Sequence, residues 1–129
     1  MNNIFENDYV LLEKSENVMQ VKYKPESFIT IDAAKKVVED RLGFANGQPM
    51  YVVAEVSNIK NSTKDAREYL SDKDGGLQGI IAGAFISNKV YTYFILNLFF
   101  KIVKPTVPTK FFTDRDKAME WIDEMKSVN

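Results

Sequence analysis

The sequence carries hydroxyls, amides, carboxylates and amines that could do chemistry, but it has no cysteine and no histidine. Without cysteine, disulfides, thiolate metal sites and thiol nucleophiles are excluded. Without histidine, the commonest general base and the commonest transition-metal ligand are missing, and so is every triad that needs an imidazole. We therefore expect a protein that is not an enzyme and holds no metal or cofactor, although Lys, Asp and Tyr chemistries stay open.

Short hydroxyl and amide side chains follow the predicted strands, at the points where the next helices begin. They lie in three segments, 57–63, 87–89 and 113–115. Because partners of an open α/β sheet usually meet the carboxyl ends of its strands, we expect these segments to gather at one edge. A helix begins at the end of each segment, and the free N–H groups of a helix N-terminus favour the binding of an anion. The candidate binding residues of these loops are Ser57, Asn58, Ser62, Thr63, Ser87, Asn88 and Lys89.

Ordinary helix capping is the competing interpretation of the same side chains. A Ser, Thr or Asn before a helix accepts hydrogen bonds from the first backbone N–H groups and stabilises that helix by about 1 kcal/mol. Capping alone accounts for all three segments. A binding edge therefore needs a further observation beyond the presence of these residue types.

The composition is that of one globular domain covering residues 1–129, with 45% hydrophobic and 27% charged residues. The formal net charge is -1. A nucleic-acid binder that works by counterion release would show a basic excess, so we expect no nucleic-acid partner. The N-terminal residues are polar and acidic and lack the pattern of a signal peptide, which favours a cytoplasmic protein.

Hydrophobic periodicity predicts the element order β-β-α-β-α-β-α-β-α. The predicted strands are 8–15, 18–24, 50–56, 79–86 and 109–112. Thr30 caps the first helix, which Gly43 ends, and its polar face carries Lys35, Lys36, Glu39, Asp40 and Arg41. The later helices begin at Ser62 or Thr63, at Asn88, and at Thr113 or Asp114. This order predicts an α/β sheet of about five strands, mostly parallel with an N-terminal antiparallel hairpin, and about four helices.

Two apolar segments, 79–86 and 88–103, each have more than one interpretation. Residues 79–86 fit either a strand or a helix with Gly79 and Gly83 along a packing seam, and their short length favours a strand. Residues 88–103 predict a helix that is apolar on nearly all sides. The sheet can bury only one of these sides, so the remaining apolar side chains must be buried against another helix, another subunit, a ligand or a membrane. Tyr93 and Phe100 are the candidate partner-binding residues of this helix. We expect a homodimer first and a lipid or membrane surface second.

Near the C-terminus, residues 104–114 combine a proline-containing loop with a strand that ends in Phe-Thr-Asp, and an Ala-x-x-Trp pattern follows at 118–121. This ending, with segments 51–59 and 65–70, resembles the SpoIIAA-like branch of the STAS family of anti-sigma-factor antagonists. The resemblance covers nearly the whole chain. It implies a STAS-like α/β fold and a non-enzymatic regulator that acts through protein–protein interaction.

The resemblance also implies a phosphorylation site. STAS antagonists carry a phosphorylatable serine in an Asp-Ser-Ser-Gly-like pattern at the start of the helix after the central strand. Ser62 is the matching position here and Thr63 is the next, while the Asp and the Gly of the pattern are absent. The SpoIIAA-like branch further resembles CRAL-TRIO lipid-binding domains. The alternative function is therefore a lipid or small apolar ligand carrier or sensor, with peripheral membrane association through the helix 88–103.

Overall fold

A central sheet of six strands organises the computed structural model, which describes residues 3–90, 92 and 104–128. The strands, in chain order, are β1 (Ile4–Glu6), β2 (Val10–Ser15), β3 (Val18–Tyr23), β4 (Ser27–Ile29), β5 (Met50–Glu55), β6 (Ile59–Ser62), β7 (Ile80–Ile86) and β8 (Thr109–Phe112). The six-stranded sheet has the order β1-β2-β3-β5-β7-β8, and β4 pairs with β6 in a second, two-stranded sheet. The helices bounded within the described residues are α1 (Ile31–Phe44), α2 (Lys64–Leu70) and α3 (Arg115–Ser127).

The N-terminal hairpin is confirmed. β2 and β3 are antiparallel, with Val10 opposite Tyr23 and Ser15 opposite Val18. Glu16 in the connecting turn has a φ of 53°, in the left-handed region that tight turns require. β1 adds a third antiparallel strand outside the hairpin, which the sequence pattern did not indicate.

The remaining strands of the main sheet are parallel, as predicted. β3, β5, β7 and β8 are successive parallel neighbours. Residues 80–86 form a strand, which confirms that interpretation against the helical alternative. The predicted helix 88–103 lies outside the described residues except for 88–90 and 92.

Both faces of the central strand β5 are buried, which explains its continuous apolar sequence. Val52 and Ala54 belong to the core cluster that includes residues of α1 and α2. Tyr51 and Val53 belong to the cluster on the opposite face, which includes Ile122 of α3. The sheet is thus covered by helices on both faces.

The first helix begins as the sequence predicts but ends later. The Thr30 side chain accepts a hydrogen bond from the Ala33 N–H at 3.3 Å, which caps α1. The helix runs one residue past Gly43, to Phe44, and the Ala45 N–H donates to the Arg41 carbonyl at 3.0 Å. The chain then turns at Asn46 and Gly47, whose φ values are 53° and 74°. A glycine inside a helix costs little enough for the helix to continue through it.

The segment predicted as a loop after β5 contains a strand. β6 pairs in parallel with β4, and the Thr63 N–H donates to the Ile29 carbonyl at 3.0 Å. Both strands are short, and the sequence Ile-Lys-Asn-Ser of β6 has no alternating apolar pattern. Pairing with a distant segment, rather than local propensity, therefore makes this a strand.

Candidate functional site

The carboxyl ends of β5, β7 and β8 lie side by side at one edge of the main sheet. The Val56 N–H donates to the Ile86 carbonyl at 2.9 Å, and the Ser87 N–H donates to the Phe112 carbonyl at 3.0 Å. These two bonds carry the parallel pairing one residue beyond the strands. The segments that follow β5 and β7 therefore leave the sheet next to each other.

Ser57 ties these two segments together. Its hydroxyl donates to the Glu55 carboxylate and accepts a hydrogen bond from the Asn88 N–H at 2.9 Å. The Ser57 N–H donates to the same carboxylate oxygen at 3.0 Å. The residue is only 6% exposed. Its hydroxyl is thus occupied by structural contacts, which favours a positioning role over direct contact with a partner.

Ser87 shapes the second segment in a similar way. Its Oγ accepts a hydrogen bond from the Lys89 N–H at 3.1 Å, and the residue is buried. The side chains of Asn58, Asn88 and Lys89 are exposed. We call these three residues the polar rim. They are the predicted binding residues that a partner can reach at this edge.

Ser62 and Thr63 make their hydrogen bonds at α2 instead. The Thr63 Oγ1 accepts from the Ala66 N–H at 3.3 Å and donates to the Asp65 carboxylate, so Thr63 is the N-cap of α2. The Ser62 Oγ accepts a hydrogen bond from Arg67 Nη1 at 3.0 Å, and the same Nη1 donates to the Ser62 carbonyl at 2.7 Å. Capping therefore accounts for Thr63 but not for Ser62.

The structure thus brings together some of the predicted site residues. Ser57, Ser87 and Asn88 meet at the edge of the main sheet. The hydrogen bonds of Ser62 and Thr63 run to α2 and to the two-stranded sheet. Tyr93 and Phe100 lie outside the described residues. None of the helices in the described ranges has the length and apolar character needed to cross a bilayer.

A buried arginine is the functional candidate that the sequence analysis missed. The sequence pattern predicts Arg41 on the polar face of the first helix, but the residue is only 4% exposed. Its Nη2 donates to the carbonyls of Gly76 and Gln78, at 3.0 and 2.8 Å. Its Nη1 has no hydrogen-bond partner among the described residues. The available signal was spacing, since position 41 follows the buried Val37 by one helical turn.

Arg41 lines a cavity of about 60 Å³ between α1, β5 and the segment that follows α2. Burial lowers the pKa of Arg41, and the neighbouring Tyr23 and Tyr69 act in the opposite direction. Tyr23 lines the same cavity, and burial raises its pKa to about 12, against the effect of the Arg41 charge. A cationic group thus lies in an apolar interior beside a neutral phenol.

The raised pKa of Tyr23 predicts a loss of stability at alkaline pH. The unfolded chain releases this proton from about pH 10, the folded protein only near pH 12. The folded state therefore holds more protons in this window, so the free energy of unfolding falls as the pH rises through it. Between about pH 9 and about pH 11 we expect the free energy of unfolding to fall by about 1 kcal/mol more for wild type than for Tyr23→Phe. Urea unfolding at each pH measures this difference. Identical pH profiles would contradict the burial of the phenol.

Comparison with known proteins identifies the fold and the family. A search of curated proteins finds no match. A crystal structure of an uncharacterized DUF3478-family protein with a SpoIIAA-like fold, from Shewanella loihica PV-4, superposes with a TM-score of 0.62 at 13% identity. The match covers 91% of this chain and 97% of that one, which confirms the predicted STAS-like, SpoIIAA-like fold. The domain family of unknown function DUF7793 matches residues 12–126. This chain therefore belongs to the DUF7793 family.

Proposed function

We propose that this chain is a non-catalytic binding and regulatory module of the STAS type, which acts through protein–protein contacts and is regulated at Ser62. The SpoIIAA-like fold supports the class of module. The observation that carries the proposal is the pairing of Ser62 with Arg67. It provides a cation next to the hydroxyl that the STAS resemblance marks for phosphorylation.

A phosphate on Ser62 would lie next to the cationic side chain of Arg67. It would add about two negative charges next to the Arg67 guanidinium, which lies 3.0 Å from the Ser62 Oγ. Arginine pairs with phosphate through parallel, charge-assisted hydrogen bonds. On Thr63 a phosphate would instead meet the Asp65 carboxylate and disrupt the cap of α2. Local electrostatics thus favours Ser62 over Thr63 as the regulated residue.

The polar rim supplies a surface for a partner. Asn58, Asn88 and Lys89 are exposed, and the buried hydroxyls of Ser57 and Ser87 hold the backbone from which they project. Exposed amides and an amine on a fixed backbone can bind polar groups of another protein with little loss of backbone entropy, although their side chains still lose rotamer freedom. Ser62 lies at the far end of β6, four residues after Asn58 in the chain, so a charge at Ser62 would act on a partner of the rim through its electrostatic field.

The test of this proposal is affinity capture with quantitative mass spectrometry, in which Ser62→Asp is compared with wild type. We expect the amount of at least one specific partner to change about tenfold or more, because the substitution places a charge at the regulated position. Ser127→Asp is the matched control. It adds the same charge at an exposed serine near the end of α3 and should capture the same partners as wild type.

Titration with the purified partner then establishes that the contact is direct. Asn88→Ala and Lys89→Ala, at the polar rim, should weaken this binding. Equal capture by wild type, Ser62→Asp and Ser127→Asp would contradict the regulation at Ser62. Full affinity of both rim variants would contradict the proposed contact surface.

Homodimerisation and the lipid-binding alternative stay predictions, because they depend on helix 88–103, most of which lies outside the described residues. Light scattering after size exclusion measures the oligomeric state. Cosedimentation with anionic liposomes measures membrane association. A monomer that does not sediment with the liposomes would contradict both predictions.

A further inference from the structure

We propose that the cavity beside Arg41 is a binding site for a short-chain monocarboxylate, whose carboxylate pairs with Arg41 Nη1 and whose alkyl group contacts the apolar walls. This site lies within the core between α1 and the sheet, and it does not depend on the proposed protein contact at the rim.

The first argument is the unused hydrogen-bonding capacity of Arg41. A guanidinium has five N–H donors and no acceptor. Two carbonyls occupy Nη2, whereas Nη1 has no partner among the described residues. Buried donors are nearly always satisfied, since an unpaired one costs the full penalty of its desolvation. A ligand oxygen in the cavity would remove that penalty.

The second argument is the missing counter-charge. A buried cation is normally paired with an anion. None of the ion pairs found in the described part of the chain includes Arg41. The groups that interact electrostatically with Arg41 are Tyr23 and Tyr69, which are neutral phenols at ordinary pH. An anionic ligand would supply the counter-charge that the described part of the chain does not.

The walls of the cavity determine which anion fits. Apolar side chains line it, among them Val37 and Val38 of α1, Val52 and Ala54 of β5, and Leu77. These walls offer no further cation to a doubly charged phosphate. One water needs roughly 10–15 Å³ of this kind of cavity volume, so about 60 Å³ has room for roughly four to six water-sized atoms, and propionate has five non-hydrogen atoms. A small monocarboxylate therefore fits better than a phosphate or a long-chain lipid.

The test is titration of the full-length protein with propionate, followed by methyl NMR of Val37, Val38 and Leu77. Propionamide, which has the same shape without the charge, and inorganic phosphate are run in parallel. We expect saturable shifts of these methyl signals with propionate and none with the other two compounds. Absence of shifts with propionate, or equal shifts with propionamide, would overturn the proposal.

Two variants test the site itself. Arg41→Met removes the charge and should weaken propionate binding about tenfold or more, as expected for loss of a charge-assisted bond. Ala54→Val keeps Arg41 but fills part of the cavity, and it should weaken binding similarly. Ala54→Val decides the matter if Arg41→Met does not fold. Lys36→Met, which removes an exposed cation from the same helix, should bind propionate as wild type does. Unchanged binding by a folded Arg41→Met protein or by Ala54→Val would overturn the assignment.

Discussion

Gly76→Ala is expected to lower the free energy of unfolding by about 3 kcal/mol, a large effect for the addition of one methyl group. A Cβ at this position would lie 2.1 Å from the Leu70 carbonyl oxygen and 2.5 Å from the Leu70 Cα. Both atoms are backbone, so no side-chain rotation can relieve the overlap. The segment after α2 must therefore move, and with it the Gly76 carbonyl that accepts a hydrogen bond from Arg41.

Gly43→Ala is the matched control for this prediction. Gly43 lies within α1, and a Cβ there would have no atom within 4 Å. Because alanine favours a helix interior over glycine, this variant should be more stable than wild type by about 0.5–1 kcal/mol. Urea unfolding followed by circular dichroism measures both variants. A Gly76→Ala protein as stable as wild type would show that the close approach of residue 76 to α2 is wrong.

Ile122→Ala is expected to destabilise the protein by about 2–5 kcal/mol, because it leaves a cavity where α3 packs on the sheet. Ile122 has no exposed surface and shares its core cluster with Ala84 and Ile86 of β7. Next to it, the ring of Trp121 lies 5.9 Å from that of Phe112 in β8, measured between centroids. The fluorescence of Trp121 therefore reports on the packing of α3 against the sheet, which the substitution weakens.

Asp123→Ala controls for the change to alanine in the same helical turn. Asp123 is exposed, so we expect a change of no more than about 0.5 kcal/mol. Unfolding in urea, followed by the fluorescence of Trp121, compares the two variants with wild type. If Ile122→Ala unfolds at the same urea concentration as Asp123→Ala, α3 does not pack on this face as described.

The elements with a strong local pattern could be predicted from the sequence. β5 is apolar at nearly every position, and α1 repeats its apolar residues at helical spacing after a threonine cap, so both were recognised. Residues 80–86 were identified as a strand by their length and by the polar segments that flank them. In each case hydrophobic burial determines the structure and is visible in the order of the residues.

The short strands could not be predicted because their signal is not local. β1 and β4 have three residues each, and each includes a hydrophobic residue that is about half exposed, Ile4 in β1 and Phe28 in β4. A strand of this length is fixed by the partner that reaches it. β6 is the most consequential case, because its pairing with β4 directs Ser62 and Thr63 towards α2.

The candidate site was partly predictable for the same physical reason. The rule that parallel strands end at one edge places Ser57 and Ser87 together, and the structure joins their segments through Asn88. Arg41 lies one helical turn after the buried Val37, but this spacing is outweighed in the sequence by its residue type, because arginine is almost never buried without a partner. Its burial depends on two carbonyls that lie more than thirty residues away along the chain.

Both edge strands of the main sheet are short. Within the described residues, β1 has three residues at one edge and β8 has four at the other. Long, flat edge strands act as templates for further strands and lead to fibrous aggregates, whereas very short edge strands protect against them. The two edge strands of the main sheet therefore offer few main-chain hydrogen bonds to a strand of another molecule.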